Sequence, residues 1–146
     1  MRFEASVFVQ AAPERVFAVF ADVERWPEWT ESVTSVRRLD DGDLRIGSRA
    51  RIKQPKLPVA FWKVTELVPG RKFVWQSTGP GLRTVGFHEV EPTGTGTTAR
   101  IALEQHGPVG RLIGRITASL TDRYLAMETA GLKARAERPR QPEQQA

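Results

Sequence analysis

Apolar and polar positions along the chain change period twice. Across residues 2 to 10, Phe3, Val7, Phe8 and Val9 stand among small polar residues, which predicts an opening strand. Ala11-Ala12-Pro13-Glu14-Arg15 then starts a short helix, because proline suits a first helical turn and Glu14 sits where the helix dipole favours negative charge. Its apolar positions are Val16, Phe17, Val19 and Phe20. Asp22 is a candidate cap for a second helical turn that ends in Trp26-Pro27-Glu28-Trp29, where proline limits regular helix. From Val33 to His106 the pattern predicts six strands: 33–39, 48–54, 59–68, 72–78, 82–91 and 97–106. Turn sequences such as Asp40-Asp41-Gly42-Asp43, Pro69-Gly70 and Pro92-Thr93-Gly94-Thr95-Gly96 join them in pairs, so the strands form an antiparallel meander. Residues 109 to 138 switch to helical spacing, with Val109, Leu112, Ile113, Ile116, Leu120, Tyr124 and Met127 at steps of three and four.

Thirty residues of helix extend about 45 Å, so the partner of this helix must be the sheet. A seven-stranded antiparallel sheet twists and coils, and a straight helix laid across its concave side leaves space that side chains do not fill. A cavity is the physical expectation, and alternation along the strands assigns its lining. Gln76 points outward, which turns Phe73, Trp75 and Ser77 inward. Lys63 and Thr65 outward put Trp62 and Val64 inside. Arg83, Glu89 and Glu91 outward place Thr84, Gly86, His88 and Val90 inside and leave Val85 and Phe87 on the outer face. Glu66 would reverse its facing if a bulge precedes Pro69. Gly110, Gly114 and Ala118, four apart on the helix, predict close approach to the sheet.

The order of these elements, together with Ala12-Pro13-Glu14-Arg15-Val16-Phe17, Asp22 leading to Trp26-Pro27-Glu28-Trp29, Trp62-Lys63-Val64-Thr65-Glu66 and Pro69-Gly70-Arg71-Lys72-Phe73-Val74-Trp75, then His88-Glu89-Val90, Gly96-Thr97-Thr98 and Gly131-Leu132-Lys133, resembles the START-related SRPBCC superfamily, and within it the bacterial polyketide cyclase/dehydrase-like (lipid transport) proteins. The resemblance spans residues 1 to about 138. It implies an α+β helix-grip fold: a curved seven-stranded antiparallel sheet around a long C-terminal helix, two short helices after the first strand, and a deep hydrophobic tunnel. Members include lipid carriers, aromatic polyketide cyclases, hormone receptors and chaperone activators, so the fold does not decide the reaction.

Within that frame the expected ligand contacts are Trp26 and Trp29 at the tunnel mouth, then Trp62, Val64, Phe73, Trp75, Ser77, Thr84 and His88 from the sheet, and Ile116, Leu120 and Tyr124 from the helix. Flat aromatic rings stack on flat ligands, although large aromatics also build cores. His88, Tyr124 and Arg123 are the candidate catalytic groups: an imidazole in an apolar pocket can move a proton, and a phenol or guanidinium can steady an enolate oxygen. Arg123 alternatively snorkels to solvent. If exposed, Leu125 and Leu132 would suggest self-association, with monomer and homodimer both open.

Length and charge narrow the classes further. At 146 residues with 40% apolar content, the chain makes one domain, residues 1–138, followed by a disordered tail at 139–146. The net charge of +5 is not a run. Residues 1–32 carry three basic and six acidic side chains, residues 33–106 twelve and seven, and residues 107–138 six and three. Arg45, Arg49, Arg51, Lys53 and Lys56 form an alternating basic edge, read as a solvated strand face rather than a nucleic-acid footprint. Cysteine is absent and the two histidines, His88 and His106, lie far apart, so neither a protein-held metal nor another cofactor is expected. There is no phosphate loop, no dinucleotide fingerprint and no serine elbow. The N-terminal stretch, interrupted by Glu4, fails as a secretory signal, and no run is apolar enough to span a membrane, which points to the cytoplasm. Three function classes stay open: binding of a small hydrophobic or aromatic molecule of lipid, polyketide or isoprenoid type; a polyketide cyclase or dehydratase using His88 as acid/base; and a protein or nucleic-acid interaction module on the basic strand face.

Overall fold

A computed structural model describes residues 1–138. The tail expected at 139–146 lies outside the described residues. Strand β1 (Arg2–Val9) leads to helix α1 (Pro13–Ala21) and a short 3-10 helix (Val23–Glu28). Strands β2 (Ser35–Arg38), β3 (Arg49–Lys53), β4 (Ala60–Val68), β5 (Lys72–Gly79), β6 (Leu82–Thr93) and β7 (Gly96–His106) follow, and helix α2 (Gly110–Glu137) closes the described chain. All seven strands form one antiparallel sheet in the order β1-β7-β6-β5-β4-β3-β2. The meander pairs sequential neighbours, and β1 completes the sheet by pairing with β7.

The elements match the pattern of the sequence closely, with β2 shorter than expected. Asp40 explains that shortening: its carboxylate accepts from the Arg49 backbone N–H at 2.8 Å and holds the Arg38 guanidinium at 2.7 Å, so the chain turns before the strand lengthens. In β4 the register shifts between Val64 and Glu66. This bulge at Thr65 lets Val64 and Leu67 both face inward, and it sends Glu66 outward to an ion pair with Lys72 at 2.8 Å.

Helix α2 departs from the expected stripe. Its buried side runs through Gly110, Gly114, Tyr124, Leu125, Thr129, Leu132 and Ala136, whereas Ile116 is 69% exposed and Leu112 58%. Glycine sets this rotation. A Cβ at Gly110 would lie 3.1 Å from the Gln105 backbone, so the helix approaches β7 through its glycines and swings Leu112 and Ile116 into solvent. Leu125 and Leu132 are core residues rather than exposed ones, so they are not available for self-association.

The two halves of α2 meet different partners. Leu125, Leu132 and Ala136 pack with Val9, Val16, Phe20, Val23 and Phe73 into a closed core under the C-terminal half. Under the N-terminal half, Ile113, Thr117, Leu120 and Thr121 face open space. The inner layer is therefore solid at one end and hollow at the other.

Candidate functional site

The hollow consists of two joined chambers. The outer one has a volume of about 540 Å3 and is walled by Leu57, Val59 and Phe61 from the β3–β4 connection and β4, by Ser77 and Thr84 from β5 and β6, and by Leu120 from α2. The inner one, about 100 Å3, reaches Trp26, Trp75, His88 and Glu128. Gln54, Trp62, Leu103, Thr121 and Tyr124 border both. Strand alternation accounts for this wall: His88 pairs in register with Phe73 and with Ile101, Gly86 with Trp75, and Thr84 with Ser77. Gly86 makes room for the indoles, since a Cβ there would stand 3.1 Å from Trp75.

Aromatic rings surround His88. Its imidazole stacks on Phe73 at 4.3 Å and 14°, and the rings of Phe20, Trp26 and Trp75 lie within 5.3 to 5.7 Å. Burial pushes its pKa down to about 3, with the Phe73 backbone opposing, so the ring is neutral throughout the working pH range. Nδ1 has no hydrogen-bond partner among the described residues. An imidazole so depressed is neutral and a weak base near neutral pH.

Glu128 is the acidic group of the inner chamber, and the sequence reading missed it. Ser32 Oγ donates to its carboxylate at 2.9 Å, Thr30 and Ser32 hydroxyls share a 2.8 Å bond, and the Gln54 amide donates to the Ser32 carbonyl at 3.1 Å. No lysine or arginine among the described residues pairs with it. Burial pushes its carboxyl up to about 7, the Ser32 hydrogen bond opposing. The missed signal was spacing: Thr117, Thr121, Tyr124 and Glu128 follow one another at helical steps of four, three and four, so a helix that turns Tyr124 inward turns Glu128 inward as well.

The other expected site residues divide. Trp26, Trp62, Trp75, Ser77, Thr84, His88, Leu120 and Tyr124 border the chambers. Tyr124 also donates its hydroxyl to the Pro55 carbonyl and so ties α2 to the β3–β4 connection. Val64 and Phe73 are buried in the core behind the wall. Ile116 is in solvent, because the glycine-led rotation of α2 carries it there. Arg123, next to Tyr124 but about 100° round the helix, is exposed and takes no part in the chambers. Trp29 does not border the chambers: its ring packs edge-on against Trp26 at 6.0 Å and lines a separate surface cleft with Arg15, Asp22, Arg25 and Arg135. It is held there by α2: a Cβ at Gly131 would overlap the Trp29 carbonyl. On the basic strand edge, Lys53 donates to the Gln54 and Leu57 carbonyls and Arg45 to the Asp41 carbonyl, so both hold loops.

A family described as polyketide cyclase / dehydrase and lipid transport matches residues 1–137. The chain belongs to that family. No curated protein matches the chain. Among solved structures, the Zhui aromatase/cyclase of a Streptomyces species is 16% identical with a TM-score of 0.76, covering 94% of each chain. The Thermus thermophilus protein TTHA0849 is 20% identical with a TM-score of 0.74, covering 93% of this chain and 97% of its own. The Aha1 dimer of Colwellia psychrerythraea is 18% identical with a TM-score of 0.67, covering 94% and 96%. At such identities the likeness is one of fold: the curved antiparallel sheet and long C-terminal helix of the polyketide cyclase/dehydrase family. None of the described helices is long and apolar enough to cross a membrane.

Proposed function

We propose that the protein binds a small hydrophobic or aromatic molecule, of lipid, polyketide or isoprenoid type, in the joined chambers. The observation that carries this reading is the cavity itself. Its outer part is large enough for a molecule of drug-like size and mostly apolar, and its inner part is bordered by a few polar side chains, Glu128, His88 and Gln54, among three indoles. Apolar walls supply affinity and the polar end fixes orientation. Membership of a family that includes lipid transport agrees with this reading. Titration with the neutral dye Nile red, followed by its displacement with unlabelled hydrophobes, tests it. One-to-one uptake is expected, weakened at least tenfold in Trp62→Ala, whose indole borders both chambers. Absence of uptake by the wild type would refute it.

A second reading is favoured by one observation, the Glu128 carboxyl poised near neutral pH at the cavity end. In a cyclase or dehydratase this group, rather than His88, would exchange the proton, because a catalytic acid/base works best with a pKa near the operating pH. Turnover of a poly-β-keto substrate that disappears in Glu128→Gln and persists in His88→Gln is expected on this reading; turnover untouched by Glu128→Gln would end it.

A further inference from the structure

Beyond the walls that any hydrophobe would use, the chambers have a sign. Among the described residues, the groups bordering them include one carboxyl, Glu128, and no lysine or arginine. The titratable groups that border the inner chamber with it are His88 from β6 and Tyr124 from α2. The first is neutral at working pH, and the phenol is engaged with the Pro55 carbonyl. The hydrogen-bond partner of the carboxyl is the Ser32 hydroxyl, which leaves oxygen lone pairs free for a donor. Three indoles stand around the same chamber, with Trp26 and Trp75 centroids 5.2 Å apart and Trp62 and Trp75 5.6 Å apart. Indole faces attract cations, and a carboxylate without a basic partner gains most from one. Any anionic end placed here would meet Glu128 with nothing to offset it.

We propose that the inner chamber recognises a basic nitrogen, so that the ligand is a hydrophobic amine whose ammonium pairs with Glu128 among Trp26, Trp62 and Trp75. This inference rests on the cavity-binding reading above. The amine enters as its free base, with no net charge to bury. Inside, the Glu128 O–H bond breaks, the nitrogen lone pair takes that proton as a new N–H bond, and a carboxylate–ammonium pair remains. The proton balance is closed within the pair, and no other reactant is needed. The raised carboxyl supports this arrangement: below about pH 7 it holds the proton in the empty chamber, and at pH 8 the same pair forms from carboxylate and ammonium with no net change in protons.

The test compares three probes of one shape by isothermal titration calorimetry: naphthylethylamine, naphthylethanol and naphthylacetate. At pH 8 the amine is expected to bind at least tenfold tighter than the alcohol, and the alcohol tighter than the acid. Below about pH 7 the amine's affinity should fall by up to tenfold per pH unit, as Glu128 keeps its proton against the charged amine. Above the amine's own pKa it should fall again. Glu128→Gln should erase the amine's advantage over the alcohol. Equal binding of the three probes, preference for the acid, or an amine preference that survives Glu128→Gln would overturn this inference and leave the cavity reading standing. Failure of all three probes together with Nile red would overturn both.

Discussion

Glu128 and His88 bear opposite consequences for stability, and their opposition can be measured. The Glu128 carboxyl is raised by burial from 4.5 to about 7, so the folded protein holds that proton more tightly than the unfolded chain does. Stability therefore falls as pH rises from about 4.5 to about 7, by about 1.4 kcal/mol per unit and about 3 kcal/mol in all. The His88 imidazole is lowered by burial from 6.5 to about 3, so the folded protein resists charging it. Its contribution is lost as pH falls through the same region, and stability rises with pH from about 3 to about 6.5 with a similar slope. Between pH 4.5 and 6.5 the two slopes cancel in the wild type. Glu128→Gln keeps the shape and the Ser32 hydrogen bond but removes one slope. Urea unfolding of both proteins from pH 4 to pH 8 is the assay. The variant's stability relative to wild type should grow from near zero at pH 4 to about 3 kcal/mol in its favour at pH 8. A difference between the two that stays constant from pH 4 to pH 8 would refute the raised carboxyl, and with it the idea of a buried titrating group in the chamber.

Gly131→Ala should cost about 2 kcal/mol, read as a lower urea midpoint, because the added methyl collides with the Trp29 backbone carbonyl rather than with a side chain that can turn aside. Tyr124→Phe should lose about 1 kcal/mol and raise amide hydrogen exchange across residues 54–59, since the phenol holds the Pro55 carbonyl over the cavity. Unchanged exchange there would show that the connection is held by Lys53 and its loop carbonyls instead.

Much of this architecture was legible in the pattern of residues. Strand alternation placed Trp62, Trp75, Thr84, Gly86 and His88 on the inner face because one polar residue per strand suffices to orient a two-residue period. The bulge before Pro69 was visible as an ambiguity at Glu66. The helix was harder. Its apolar stripe and its buried face differ by a rotation, because small residues at Gly110 and Gly114 win the close contact with β7, and Leu112 and Ile116 lose it. Hydrophobicity alone therefore pointed to Ile116 and passed over Glu128, a charged residue that periodicity scores as outward. Position relative to Tyr124 would have found it. Trp29 was misplaced for a different reason: it follows the end of the 3-10 helix and packs edge-on against Trp26 at 6.0 Å, so Trp26 stands between it and the chamber while its other side lines the surface cleft.

Four tryptophans make the central claim directly observable. Trp26, Trp62 and Trp75 border the chambers, and Trp29 lies in the separate cleft. Four indole N–H signals in a proton–nitrogen correlation spectrum, followed as Nile red is added to saturation, report on both places at once. Binding in the chambers predicts large shifts for Trp26, Trp62 and Trp75 with Trp29 moving least. Shifts confined to Trp29, or no indole shift at saturating dye, would contradict it.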